Sequence, residues 1–177
     1  SNSARTVVSS FAAIAAAIAQ HLAGFLEQRV VAGGLILSAY WPIKDEPDLR
    51  PLMHDLHGRG VTIALPVVET RFAPLVFRRW HPGARMERGD WNIPVPAADA
   101  PRVSPDVVLA PVMGWDRGCY RLGYGGGYFD RTLARMAPRP LAIGIGADAA
   151  RLPTIFPQPH DIAMDLVITE SGVQRGG

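Results

Sequence analysis

The chain has 177 residues, enough for one domain with a sizeable core. Hydrophobic residues make up 48% and charged residues 19%, which excludes a disordered chain. Net charge is +2 with a sequence pI near 9.0. That mild excess suits an anionic small ligand and does not by itself indicate nucleic acid.

In chain order, the Ala-rich run Phe11–Gln20 passes at helical spacing into His21, Glu27 and Arg29. It reads as a packing helix over 9–29 and not as a signal peptide. No uninterrupted apolar stretch is long enough to span a bilayer. Strands are expected at 35–40, 61–65, 74–77, 107–110, 141–145 and 165–169. Helices are expected at 9–29, 47–57 and 127–136, the second announced by Glu46-Pro47-Asp48 and stopped at Gly58. Several strands are apolar at successive positions, as in strands covered on both faces. The expected fold is therefore α/β: one domain over 1–177, a three-layer sandwich with a mostly parallel central sheet and helices on both faces. The stretch from Arg78 to Arg102, rich in Pro, Arg and Trp, reads as an irregular excursion of the functional kind. The lone Cys119 permits no intrachain disulfide, and a reducing cytoplasm is its expected setting.

The chemistry centres on the run from Arg121 to Asp130, Arg-Leu-Gly-Tyr-Gly-Gly-Gly-Tyr-Phe-Asp. A strand precedes it and a helix follows it. Glycines let backbone N–H groups approach an anion, and a helix start adds positive partial charge. Arg121 supplies a guanidinium fork suited to phosphate. No Lys-Ser/Thr follows the glycines, so this is not a Walker loop. The third glycine of a dinucleotide fingerprint would fall at Tyr128, so it is not that either. By itself the loop reads equally as a phosphate cradle or a plain strand-to-helix turn. Asp130, in the first helical turn, suits Mg²⁺ carried with a nucleotide. Asp165, at a strand start, could approach the same metal, whereas Asp161 reads as a turn or cap.

These residues resemble a known family. Arg121–Arg131 resembles the signature of the 5-formyltetrahydrofolate cyclo-ligases (methenyltetrahydrofolate synthetases). Tyr40-Trp41-Pro42 with Glu46, then Trp91–Pro96, then Pro159-His160-Asp161 with Asp165–Thr169, resemble three further segments of that family in the expected order. The resemblance implies an enzyme that uses ATP and Mg²⁺ to cyclise 5-formyltetrahydrofolate to 5,10-methenyltetrahydrofolate, releasing ADP and phosphate. It implies that Arg121, Leu122, Gly123, Tyr124, Gly125, Gly126, Gly127, Tyr128 and Phe129 line ATP. Tyr124 to Tyr128 would also touch the formyl-folate, and Arg121, Tyr128 and Asp130 would carry the catalytic roles. Asp130 and Asp165 would hold Mg²⁺. Glu46 would accept from the pterin, and Trp41 and Trp91 would pack on flat rings. The implied partner is a small-molecule folate, with no nucleic acid and no membrane, in a monomer or weak homodimer. Three positions depart from the family pattern. Cys119 stands where glycine is usual, Phe129 replaces a second tyrosine, and Arg5 alone represents a basic opening helix.

Two other readings compete. One is a folate- or nucleotide-binding paralogue without turnover. The other is an RNA-binding protein, motivated by Phe77-Arg78-Arg79-Trp80 and by Arg85, Arg88 and Trp91. A solvated loop with two anchoring rings accounts for that second pattern more simply.

Overall fold

The computed structural model describes residues 2–123 and 126–177, with side chains described from Ser10 onward. Chain order is α1 (Asn2–Ala32), β1 (Ile36–Ser38), α2 (Arg50–Gly58), β2 (Thr62–Val67), β3 (Val76–Trp80), β4 (Met86–Arg88), β5 (Pro94–Pro96), β6 (Val107–Pro111), β7 (Gly114–Trp115), β8 (Arg121–Leu122), α3 (Tyr128–Arg135), β9 (Leu141–Ile145), β10 (Leu166–Thr169) and β11 (Gly172–Arg175). Short 3₁₀ turns occupy Asp90–Asn92 and Asp148–Ala150.

Seven strands form one sheet in the order β11-β10-β9-β6-β1-β2-β3. The run from β10 to β2 is parallel, and β11 and β3 close the two edges antiparallel. Parallel strands need cover on both faces, and the burial pattern supplies it. On one face Leu37, Ile63, Leu109, Ile143 and Ile168 pack under α1 and α2. On the other, Ala110, Ala142 and Val167 join Leu133 of α3, while Ala64 and Val108 join Phe77. The three-layer expectation is met.

Helix α1 buries Ala15, Ile18, Leu22, Leu26 and Val30, a stripe at three- and four-residue spacing that faces β10 and β11. Ser10–Ala32 has the length and mean hydropathy of a membrane-spanning segment. In this fold its apolar stripe is spent on the sheet. Gly33 and Gly34, at φ 84° and 77°, then turn the chain into β1.

Helix α2 begins three residues later than its acid-and-proline signal suggests. The Pro47 carbonyl instead accepts the Tyr40 hydroxyl at 2.7 Å. Asp48 accepts the Arg50 backbone N–H at 3.0 Å and its guanidinium at 2.8 Å. Pro51 takes the early helical position that needs no N–H donor. The region expected to be irregular holds a two-stranded hairpin, β4–β5, between β3 and β6.

Candidate functional site

Strands β1 and β6 are neighbours, yet the chain leaves β1 toward β2 and returns on the other side to β6. Such a reversal opens a crevice at the carboxyl ends of the strands. A cavity of about 1160 Å³ lies there, and Pro111 at the end of β6 forms part of its lining.

The glycine-loop wall is built by a small hairpin and a helix start. Strands β7 and β8 pair Trp115 with Arg121. Their connection folds around Asp116, whose carboxylate is buried at 5% exposure. Its Oδ1 accepts the backbone N–H groups of Gly118 and Tyr120 at 3.0 and 3.1 Å, and its Oδ2 accepts that of Ile155 at 3.3 Å. One acid thus ties the approach to Arg121 to the loop that brings Phe156 and Asp161 to the cavity. Arg121 lies over the Phe129 ring at 4.8 Å, so phenylalanine here still serves as a stacking face.

Gly126 and Gly127 follow at φ 81° and 61°. A Cβ on Gly126 would meet the Tyr128 ring at 2.9 Å. Gly127 is the N-cap of α3 and carries no side chain to occupy the first-turn N–H groups. Two side chains fix this helix start. Thr132 Oγ1 donates to the Tyr128 carbonyl at 2.6 Å and accepts the Leu75 N–H at 2.8 Å. The Tyr128 hydroxyl accepts the Phe72 N–H at 3.3 Å. Asp130 lines the cavity, and its Oδ1 accepts the Ile162 N–H at 2.9 Å.

The facing wall comes from the β1–α2 loop. Tyr40 is buried, and burial followed by the charges of Glu46 and Asp48 pushes its phenol well above the usual range, so it stays a neutral donor. Glu46 closes a turn by accepting the Ile43 N–H at 2.9 Å. The Trp41 ring is backed by the Arg50 guanidinium at 5.2 Å. Trp91 stands at the tip of β4–β5, 66% exposed, with φ 59°. Phe72 and Phe156 also line the cavity, are more than half exposed, and have φ of 58° and 52°. Left-handed backbone at bulky residues costs energy and concentrates at ligand clamps. No sequence signal marked Phe72 or Phe156, because the conformation that presents them is set by the surrounding turns.

Most of the expected site residues meet at this cavity: Trp41, Glu46, Trp91, Arg121, Leu122, Gly123, Gly126, Gly127, Tyr128, Phe129 and Asp130. Tyr124 and Gly125 lie outside the described residues, as does the Arg5 side chain. Asp165 is a correction. It stands at the amino end of β10, where its Oδ2 accepts the Ala142 N–H at 2.7 Å, while the cavity lies at the carboxyl ends. Asp161, expected only as a turn residue, accepts the Gln158 N–H at 2.7 Å and also lines the cavity. Asp130 and Asp161 thus line the cavity together with Glu46, Glu69 and Asp90.

Two more features of the sequence have a packing explanation. Phe77, Arg78 and Trp80 are buried, so that run is strand packing and no stacking ladder for RNA. Cys119 is buried too, and desolvation first, then the Asp116 charge, pushes its thiol up, away from reactivity. Its φ of 61° explains why glycine suits the position.

Comparison with known proteins agrees with the geometry. The sequence model of the 5-formyltetrahydrofolate cyclo-ligase family matches residues 3–170. The chain belongs to this family. The 5-formyltetrahydrofolate cyclo-ligase of Mycolicibacterium smegmatis is 34% identical over 158 residues, covering 85% of this chain and 81% of the relative. That of Escherichia coli K12 is 31% identical over 134 residues, covering 72% and 74%. The solved structure of a 5,10-methenyltetrahydrofolate synthetase from Aquifex aeolicus superposes with a TM-score of 0.75 at 28% identity, covering 91% of this chain and 80% of that one. A family of ligases thus shares both the sequence pattern and the fold around this cavity.

Proposed function

We propose that the protein is an ATP- and Mg²⁺-dependent ligase that converts 5-formyltetrahydrofolate to 5,10-methenyltetrahydrofolate with release of ADP and phosphate. One observation carries the reading. The glycine turn that opens α3, with Arg121 and Asp130, shares a single cavity with Trp41, Glu46 and Trp91. One side suits phosphates and the other a flat, donor-rich heterocycle.

The chemistry explains why both must meet. A formamide carbon is a weak electrophile, and its oxygen is a weak leaving group. Transfer of the γ-phosphoryl group to the formyl oxygen, with ADP departing, corrects both faults. The neighbouring folate amine then attacks the formyl carbon, loses its proton, and expels phosphate as the cyclic amidinium closes. Catalysis here is mostly positioning and charge neutralisation. Arg121 would fork onto phosphate oxygens. The backbone at Gly126 and Gly127 would approach them closely, since no Cβ intervenes. Asp130 and Asp161 would hold Mg²⁺, which supplies charge neutralisation at the phosphates. Glu46 would accept from the amide-amidine edge of the pterin, with Trp41 and Trp91 stacking on its rings.

The test is spectroscopic. Protein, ATP, Mg²⁺ and 5-formyltetrahydrofolate should raise the absorbance of the methenyl product, and omission of ATP should abolish the rise. Calorimetric binding of both ligands without any product, alongside an active relative, would replace the enzyme by a binding protein of the same fold.

A further inference from the structure

Trp91 stands at the cavity on the tip of the β4–β5 hairpin. Trp91 and Asn92 are consecutive left-handed residues, with φ of 59° and 57°. Such a pair persists only where its surroundings over-determine it. Within the loop, Gly89 N–H donates to the Ile93 carbonyl at 2.9 Å and Ile93 N–H to the Asp90 carbonyl at 3.2 Å. The ribbon beneath is three residue pairs long, Met86–Pro96 to Arg88–Pro94. A ribbon that short is marginal on its own.

Arg78 of β3 reaches it from the main sheet. Its side chain is 9% exposed. Nη1 donates to the Pro96 carbonyl of β5 at 2.9 Å and to Glu87 Oε1 of β4 at 3.3 Å. Nη2 donates to Glu69 Oε2 at 3.0 Å, and Glu69 lines the cavity. Glu69 also pairs with Arg102, at the far end of the excursion. One planar fork therefore joins both strands under Trp91 to the cavity wall. A lysine, with a point charge and no fork, does not reproduce three such directions.

We infer that Arg78 is a positioning residue: by clamping β4–β5 to the cavity wall it sets the pose of Trp91 and so the affinity for the folate. This rests on the reading that Trp91 packs on the folate. Its consequence is selective, because Arg78 bonds directly to both strands beneath Trp91 and reaches α3 only at second hand, through Glu69 and the β2–β3 segment that meets Tyr128 and Thr132.

The experiment measures steady-state kinetics and calorimetric Kd for Arg78→Lys, Glu87→Gln, Trp91→Ala and the pairwise combinations with Trp91→Ala, each in the full chain. Arg78→Lys should raise KM and Kd for 5-formyltetrahydrofolate about tenfold, with KM for ATP and kcat within about twofold. Glu87→Gln, at a side chain 47% exposed, should move the same constants about threefold. In the Trp91→Ala background both changes should have no further effect, the non-additivity expected when one residue acts through another. Equal rises for both substrates, a loss confined to kcat, or additive effects in the Trp91→Ala background would overturn the inference. If Arg78→Lys fails to fold, Glu87→Gln decides, and an unchanged folate Kd there rejects the clamp. A parent protein that binds folate without turnover still tests the clamp through Kd. A parent that binds no folate rejects the functional reading and the clamp together.

Discussion

The two ends of the parallel sheet use carboxylates for different work. At the amino ends, Asp106 Oδ2 accepts the Ile36 N–H at 2.9 Å and Asp165 Oδ2 accepts the Ala142 N–H at 2.7 Å. Each completes the hydrogen bonding of a neighbouring strand where its ladder starts. At the carboxyl ends, Glu46, Asp130 and Asp161 each take a backbone N–H from a loop, to Ile43, Ile162 and Gln158, and also line the cavity. Every one of these acids satisfies a backbone donor. What separates a structural aspartate from a candidate ligand is which end of the strand it caps, because strand topology places the crevice at one end only.

The sharpest way to break this contrast is Asp130→Ala. If the carboxyl-end acids hold the metal, kcat/KM should fall by on the order of 10²–10³-fold, the scale of losing a charged group aimed at the reacting phosphoryl. The folded state should lose only about 1 kcal/mol for the Ile162 hydrogen bond. Steady-state kinetics beside a thermal melt separate the two. Near-normal turnover in a folded variant would move the metal site elsewhere.

Gly126→Ala comes next. The added Cβ meets the Tyr128 ring at 2.9 Å, and the backbone sits at φ 81°. Left-handed strain for a non-glycine residue is about 1–2 kcal/mol. Shifting Tyr128 would also disturb its hydroxyl contact with Phe72. The expected outcome is a loss of about tenfold or more in kcat/KM, with a larger share in KM for ATP. An unchanged KM for ATP would detach the glycine turn from the nucleotide and sharpen the case for a plain turn.

The amino-end partner of these tests is Asp165→Asn. An amide keeps the oxygen that accepts from Ala142 but loses the charge, and strand β10 stays in register. Stability should fall by about 1 kcal/mol or less, with kcat/KM within twofold, read by chemical denaturation and the absorbance assay. A loss of activity comparable to Asp130→Ala would collapse the distinction between the two ends.

The same contrast explains what was legible in the sequence. Six strands and three helices could be read from apolar runs and breakers, since periodicity survives without tertiary information. The glycine wall could be read because Gly126 and Gly127 are needed for reasons local to the chain. Asp165 misled because a strand start looks alike at either end, and only the order of strands decides which end meets the crevice. Phe72 and Phe156 could not be read at all. Their left-handed backbones are imposed by neighbouring turns, and phenylalanine does not signal that conformation. The β4–β5 hairpin was hidden for a related reason. Its pairs Met86–Pro96 and Arg88–Pro94 show no clean apolar alternation, and the hairpin is held by Met86 against the core, by buried Val95 and by the guanidinium of Arg78 together.

The smallest effect is expected at Cys119, which belongs to neither end. Its carbonyl accepts the Met164 N–H at 2.9 Å beside the amino-end acid, while two residues on Arg121 enters the cavity wall. Cys119→Gly removes left-handed strain of about 1–2 kcal/mol. It also removes a buried Cβ and sulfur, worth about 1–1.5 kcal/mol of burial, and frees the unfolded chain by about 0.5–1 kcal/mol. These terms nearly cancel, so the melting temperature should move by no more than a few degrees and kcat/KM by less than twofold. A gain in activity would mean that the sulfur holds the Arg121 approach away from its best position. A large loss of stability would mean that the buried thiol, and not the backbone conformation, decides what this position accepts.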